Sequence, residues 1–256
     1  EYVVSKESPK QEVVQKRVEN PTTEMPLADF YVNKDDNLNP RYTFDNFVVG
    51  SFNDLAFAAV QAVIKKPGIA YNPLFIYGNT GFGKTHLIQS VGNYVKNTSP
   101  NTKVYYITSE NYYLGLVNAM QENKISLFKE KYRKYDLLIM DDVQFLSNKE
   151  KTQDELFHLF NALYDSNKQI IFSSDKHINQ IPNLEDRIRT RFGAGMIVDI
   201  QAPDSDARVA IIKKKISSSG IILPEEIIDY LASSENSIRE LEGALNTITY
   251  HVQLKN

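Results

Sequence analysis

The residues Gly78-Asn79-Thr80-Gly81-Phe82-Gly83-Lys84-Thr85 match the pattern G-x-x-x-x-G-K-[ST]. They lie between an apolar, strand-like run, Leu74 to Tyr77, and a run with helical spacing. That succession of strand, tight turn and helix is the opening unit of an α/β sheet, so the motif constrains the fold as well as the chemistry. The glycines let successive backbone N–H groups point at one spot, and the positive end of the following helix falls on the same spot. A phosphate suits such a hollow. Lys84 would reach the β- and γ-phosphates of a nucleoside triphosphate, and Thr85 would hold Mg2+. A glycine turn that merely opens a helix explains the glycines, but not a Lys-Thr pair aimed into an anion hole.

Magnesium needs a carboxylate from a neighbouring strand, and Asp136-Leu137-Leu138-Ile139-Met140-Asp141-Asp142 is an apolar run ending in two of them. In a parallel sheet they would stand at the carboxyl edge beside the phosphate loop. Asp141 would bind the metal and Asp142 would polarise an attacking water. An acidic pair closing a strand is also ordinary turn chemistry, and it is the phosphate loop upstream that gives the metal reading its weight.

At 256 residues, 42% of them apolar, the chain can bury a full core in one large domain or one plus a small one. No apolar run approaches the roughly 18 residues of a spanning helix, and the charged N-terminus does not read as a signal peptide. With no cysteine, disulfides, thiolate metal sites and cysteine nucleophiles are excluded, which fits a reducing interior. The four histidines, at 86, 158, 177 and 251, are too scattered to read as a ligand set. Residues 1–39 hold eight acids and five bases, which leaves the rest of the chain with 24 of each sign. No global basic signature points to nucleic acid, so any such contact must be a local patch.

Residues 1–39, rich in Ser, Pro, Glu, Lys and Gln, read as a flexible tail or tether. From Tyr42 onward, strand candidates at Leu74–Tyr77, Val104–Thr108, Leu137–Met140, Gln169–Ser173 and Met196–Asp199 alternate with helical patterns. This predicts a five-stranded parallel sheet covered by helices on both faces, over residues 40–203. Leu87, Ile88, Val91 and Val95 form one stripe after the phosphate loop, and Gly92 permits close approach. Beyond Pro203 three helical patterns, about 204–219, 224–233 and 237–253, predict a small all-α domain over 204–256. Its last helix opens on a capping-box spacing, Ser237 to Glu240, and continues with Leu241, Leu245, Ile248 and Val252 on one face.

Arg239 falls in the first turn of that helix, where the dipole disfavours a cation; either a nearby anion such as an ATP phosphate or an ion pair with Glu242 explains it. Arg187, Arg189 and Arg191 close a short helix that begins with Glu185 and Asp186. Dipole matching accounts for that order, and so does a guanidinium offered to the nucleotide of a neighbouring subunit. Between the second and third strands, two short helices, Asn111–Asn123 and Ile125–Arg133, take the place of one crossover. The second carries Lys124, Lys129, Lys131, Arg133 and Lys134 among Phe128, Tyr132 and Tyr135, a pattern open to two readings: a backbone-tracking surface for nucleic acid, or a solvated basic face over a core stripe.

Taken together, the stretches Asn39–Gly50, Tyr71–Gly78, Gly81–His86, Asp141–Leu146 and Ile238–Leu245 resemble, in order, the AAA+ module of the bacterial chromosomal replication initiator family, DnaA. The resemblance covers about residues 39–250. It implies a P-loop AAA+ fold with a helical lid, and a nucleotide site formed by Val49 and Gly50 at the base, Gly78, Asn79, Thr80, Gly81, Phe82, Gly83, Lys84, Thr85 and His86 at the phosphates, Asp175 as a sensor near the γ-phosphate, and Arg239 as a second sensor from the lid. It also implies that Arg191 is an arginine finger given in trans, with Arg187 its neighbour in that motif. The inserted helices would let subunits stack into a helical filament, and Val117, Lys149, Lys151 and Thr152 match positions that contact single-stranded DNA, where lysines suit phosphate rather than bases.

The chain departs from that pattern in three places. Asn79 stands for the commoner second glycine, Ala194 for a usual aromatic, and Lys176-His177 follows Ser-Ser-Asp where Arg-Pro is usual. None removes a catalytic group. The helix-turn-helix domain that reads duplex origin boxes in the family is expected to lie outside this chain. The resemblance therefore implies a cytoplasmic bacterial ATP switch that binds ATP or ADP with Mg2+ and hydrolyses slowly, as Asp142 in place of a motor's glutamate also suggests. Its partners would be copies of itself, single-stranded DNA, the replicative helicase and regulators. The competing reading is an AAA+ helicase loader or initiator-like regulator acting on a protein partner.

Overall fold

Five strands, Leu74–Tyr77 (β1), Val104–Thr108 (β2), Leu137–Asp141 (β3), Gln169–Ser174 (β4) and Met196–Asp199 (β5), run parallel in the order β2-β3-β4-β1-β5. This is a computed structural model, and it describes residues 32–33, 35–219, 222–234 and 237–255. Every residue of β3 and β4 is buried, which is why their sequences are continuous apolar runs and not the alternation of a half-exposed sheet.

Helices cover both faces. Asp54–Lys65 (α1) and Lys84–Thr98 (α2) share one buried cluster with Leu74, Ile76, Ile139 and Ile171. Ser109–Gln121 (α3), Ile125–Arg133 (α4), Glu150–Tyr164 (α5) and Asp186–Phe192 (α6) share the other, around Phe75, Leu138, Met140 and Phe172. Alternate residues of one strand therefore enter opposite clusters, as the period of two demands. Ser205–Ser219 (α7), Glu225–Ser234 (α8) and Ile238–Lys255 (α9) enclose a third cluster in which Ile212, Ile228, Leu231, Leu241 and Leu245 are buried. The capping box forms as read: Glu240 N–H donates to Ser237 Oγ and Ser237 N–H donates to Glu240 Oε2, each at 3.2 Å. The predicted stripe of that helix holds through Ile248, and the Val252 side chain lies outside the described residues.

The aromatics of the inserted helices belong to the core. Phe128, Tyr132 and Tyr135 are buried with Tyr105 and Tyr112, so their rings are not exposed to stack on bases. Lys129 pairs with Glu155 of α5 at 2.8 Å, and Lys131 lies over the Tyr105 and Tyr132 rings. For the rings of this segment, the core stripe is therefore the correct reading.

The expected flexible tail needs correction at its end. Residues 1–31 and 34 lie outside the described residues, but residues 35–39 are a strap laid on the sheet edge. Leu38 is 1% exposed and fills the space above Gly92, where an added Cβ would come within 2.7 Å of it. Buried Asp36 pairs with Lys96, and its carbonyl accepts the Tyr106 N–H at 2.8 Å. Asn37, at φ 59°, donates its side-chain amide to Tyr106 O at 3.1 Å. One apolar side chain and a few main-chain bonds make no periodic pattern, so the composition concealed the packing.

If the strap belongs to the folded unit, Leu38→Ala should cost about 2–5 kcal/mol, the range for truncating a buried leucine. Urea unfolding monitored by circular dichroism measures this, and an unchanged midpoint would show that the strap is dispensable.

Candidate functional site

The strand order sets β3, β4 and β1 side by side, so the segments leaving their carboxyl ends meet at one place. There a cleft of about 300 Å3 opens. The phosphate loop lines it with Thr80, Gly81, Gly83, Lys84, Thr85 and His86, the turn after β3 with Asp142 and Gln144, and the end of β4 with Asp175. The lid helices add Ile211, Lys215, Ile238, Arg239 and Glu242. A second cavity, about 290 Å3, lies at the opposite edge of the sheet among Val63, Val91, Asp136 and Lys168, and includes none of the predicted site residues.

Gly81 and Gly83 have φ of 84° and 93°, backbone that favours glycine, and a Cβ on Gly81 would meet Ser237 at 3.0 Å. Ile238 N–H donates to Gly81 O at 3.0 Å, so the lid's last helix begins on the phosphate loop itself. Lys84, 6% exposed, donates to Gly78 O at 2.7 Å and Asn79 O at 3.1 Å. Burial pulls its ammonium below the usual lysine pKa, while the carboxylates of Asp142, Asp141 and Asp175 pull it back up. Anionic phosphate would supply the charge that this cation lacks in its carbonyl cradle.

Asp141, 1% exposed, is surrounded by donors. Thr85 Oγ1 donates to its Oδ2 at 2.7 Å and the Tyr106 hydroxyl to the same oxygen at 2.8 Å. Ser173 Oγ and Asp142 N–H donate to Oδ1. The Thr85 hydroxyl and Asp141 carboxylate thus stand together as two hard oxygen donors. No group of three or more His, Cys, Asp or Glu side chains that could hold a metal occurs among the described residues. With Thr85 on the cleft wall and Asp141 directly behind it, so small a donor set fits Mg2+, which keeps water and substrate phosphate as its other ligands, better than a metal needing an all-protein cage.

Asp142 adopts φ 58° as the chain turns out of β3. Burial, and then the adjacent Asp141 charge, hold its carboxyl above the usual range, against the hydrogen bond from Gln144 Nε2 at 3.0 Å and the Lys84 charge. Gln144 Oε1 accepts the Asp175 N–H at 3.2 Å, tying the two acids into one frame. Asp175 Oδ1 is buried and has no hydrogen-bond partner, the kind of exception that a bound ligand or water resolves.

At its other end the cleft is walled by Tyr42, Asn46, Phe47, Val48, Phe52 and Asn53, with Val49 and Gly50 next to Val48 in the chain. Asn53 turns the segment by donating to Val48 O at 3.0 Å and accepting Gly50 N–H at 2.9 Å, which leaves Val49 45% exposed. His86 packs against the Tyr42 and Phe47 rings and meets Thr43 O through Nε2 at 3.0 Å, so it anchors this wall. Glu242, offered by spacing as a partner for Arg239, is instead 2.5 Å from Lys215.

Arg191 is not among the residues lining its own cleft. Its guanidinium lies over Phe157 and Phe160, at 5.6 and 5.9 Å from the ring centres, while Arg187 pairs with Asp154 and Glu185. Arg189 is engaged with Asp186 at 3.2 Å and Leu184 O at 3.1 Å. Of the expected DNA contacts, Val117 is half-buried on α3, Lys149 lies 4.3 Å over the Tyr113 ring of the same helix, and Lys151 is exposed in the first turn of α5. Thr152 is buried at 2%, because its position in that turn points to the core, so its hydroxyl is not on the face that the lysines present.

Sequence reasoning did not single out Tyr106, Ser173, Gln144 or Phe47. Tyr106 and Ser173 acquire their partners from strand register, in which Thr108 pairs with Asp141 and Met140 with Phe172. A polar residue inside an otherwise apolar strand was the available signal.

A family model for the bacterial DnaA ATPase domain matches residues 38–199. The chromosomal replication initiator protein DnaA of Caldanaerobacter subterraneus subsp. tengcongensis is 52% identical over 209 residues, covering 81% of this chain and 47% of the relative. The chain thus spans about half the length of that relative. Among solved structures, domain III of the Thermotoga maritima replication initiation protein DnaA is 44% identical with a TM-score of 0.83, over 85% of this chain and 91% of that one. A replication initiator DnaA bound to AMPPCP and single-stranded DNA is 42% identical with a TM-score of 0.78, over 83% of this chain and 66% of that one.

Asp142→Asn should stabilise the nucleotide-free protein near neutral pH, since it removes a buried charge beside Asp141 and asparagine tolerates positive φ. A raised native pKa means that the wild-type carboxyl contributes full stability below the ordinary carboxylate pKa and loses it as pH rises through the native value. The advantage of the variant should therefore shrink between about pH 7 and about pH 4.5. Thermal melts at both values check this; a variant less stable at neutral pH contradicts it.

Proposed function

The chain belongs to the bacterial DnaA ATPase family, and from that membership we propose that it is an ATP-switched assembly module. It binds ATP with Mg2+ in the cleft, assembles with further copies of itself when ATP is bound, and holds one strand of origin DNA along the assembly. The observation that carries the reading is the division of groups. Lys84, Thr85, Asp142, Asp175 and Arg239 converge on the cleft, with Asp141 behind Thr85, whereas Arg191 faces away from it. An arginine that serves phosphoryl transfer from that position serves the nucleotide of a neighbour.

In this reading the phosphate-loop N–H groups and Lys84 hold the triphosphate, and Arg239 reports it to the lid. Mg2+ held near Thr85 and Asp141 neutralises phosphate charge when bound. Asp142 orients a water whose oxygen attacks the γ-phosphorus as the bond to the ADP oxygen breaks, and the water's proton passes toward the carboxylate. The aspartate side chain is one methylene shorter than the glutamate of fast motors, and slow hydrolysis acts as a timer that resets the assembly. Lys149 and Lys151, beside Val117, supply phosphate contacts to a single strand without reading its bases. Duplex origin recognition, helicase engagement and regulation in the bacterial cytoplasm are assigned to the whole protein. The relative bound to AMPPCP and single-stranded DNA supports both ligands.

Arg191→Ala should keep nucleotide binding and lose ATP-dependent assembly, as read by analytical ultracentrifugation in ATP and in ADP; normal ATP-dependent assembly by that variant sinks the trans role. For DNA, fluorescence anisotropy of a labelled single strand across a salt series should give a slope smaller by about 0.7 for each of Lys149 and Lys151 replaced by alanine. Slopes identical to wild type would remove both lysines from the DNA path.

A further inference from the structure

The strap at the sheet edge and the Asp141 carboxylate are joined by partly buried hydrogen bonds that converge on Tyr106. On the strap side, both main-chain polar groups of Tyr106 are held: its N–H donates to Asp36 O at 2.8 Å and its carbonyl accepts from Asn37 Nδ2 at 3.1 Å. A second branch starts at Asn39, whose N–H donates to Gln89 Oε1 at 2.8 Å, and the side chain of the same buried glutamine also reaches the Tyr106 hydroxyl. On the cleft side, the Tyr106 hydroxyl donates to Asp141 Oδ2 at 2.8 Å, the oxygen that also takes the Thr85 hydroxyl at 2.7 Å.

We propose that Tyr106 and Gln89 are positioning residues for the Asp141 carboxylate, and that through them the strap Asp36–Asn39 sets how well the cleft holds a divalent cation with its nucleotide. This rests on the Mg2+-nucleotide reading of the cleft. The argument is one of freedom. A carboxylate at a strand end can rotate about its side-chain bonds, and one that must face Thr85 and a hydrated Mg2+ gains from a donor that fixes its plane. Tyr106 is a dependable donor, because an ordinary phenol keeps its proton at neutral pH and its hydroxyl stands 2.8 Å from Asp141 Oδ2. It also reaches Asp141 from the edge strand, across the register that pairs Tyr106 with Ile139 two residues before Asp141. Movement of the strap therefore shifts the peptide that carries the hydroxyl. Gln89 reaches the hydroxyl from the strap side and so ties its position to Asn39.

The experiment titrates MgCl2 into the protein with a fluorescent ADP analogue, alongside binding of the same analogue in EDTA, for wild type, Tyr106→Phe, Gln89→Met and Asn37→Gly. Phenylalanine keeps the ring, methionine keeps the length, and glycine tolerates the positive φ of residue 37. In EDTA all four should bind alike. With magnesium, Tyr106→Phe should need about 10-fold more Mg2+ for half of the tightening, the lower end for outer-shell partners of a metal ligand. Gln89→Met and Asn37→Gly should move the same way by less. Unchanged Mg2+ titrations in all three variants overturn the proposal. So does a loss of binding in EDTA equal to the loss with magnesium, which would mark Tyr106 as merely structural. Thr85→Ala separates the premise from the proposal: if wild type and Thr85→Ala show no magnesium-dependent tightening, the Mg2+ reading of the cleft fails first.

Discussion

Asp141 is the point on which the cleft depends. It ends the strand between β2 and β4, and its two oxygens receive donors from the phosphate-loop helix, the edge strand, the neighbouring central strand and its own chain. A buried carboxylate without such donors would cost several kcal/mol or take up a proton. The strands must therefore be in register for the charge to be tolerated at all. A slip of one residue would carry Asp141 to the other face of the sheet and leave Thr85, Tyr106 and Ser173 without their common acceptor. Site and sheet are one constraint here, since what makes the carboxylate bearable is also what places it beside Thr85.

The faces of the sheet divide the remaining work. On the side of α1 and α2, the phosphate-loop helix and the aromatic wall of Tyr42, Phe47 and His86 line the cleft, and the strap packs behind them. On the other, the inserted helices and α5 and α6 bury an aromatic core and turn charges outward: Lys149 over Tyr113, Arg191 over Phe157 and Phe160, Arg187 between Asp154 and Glu185. Guanidinium groups spread over rings keep their stems packed and their charge accessible.

The phosphate loop, the five strands and the acid pair were legible because each rests on local pattern: a glycine spacing that only one turn satisfies, and apolar runs as long as a buried strand. The lid was legible from its stripe and its capping box. The strap was not, because Leu38 is a single apolar residue among polar ones and its pocket is made by Gly92, far away in sequence. Val49 and Gly50 were placed at the base by resemblance, and no local pattern showed that the Asn53 side chain would turn the segment by bonding Val48 O and Gly50 N–H. Thr152 reads as a surface hydroxyl until helix phase puts it in the core.

The chain by itself determined the order of its elements, the phosphate-binding turn and which residues could carry charge to a phosphate, since these follow from short-range sterics and from periods of two and 3.6. Only the tertiary structure decided which distant polar groups meet. The pairing of Tyr106 with Asp141 and the strap, the choice between Arg191 and Arg239 for the chain's own cleft, and the fate of the basic helix's aromatics all depend on strand order and helix phase. Those are set by how the whole core packs, a sum over contacts that no local window contains.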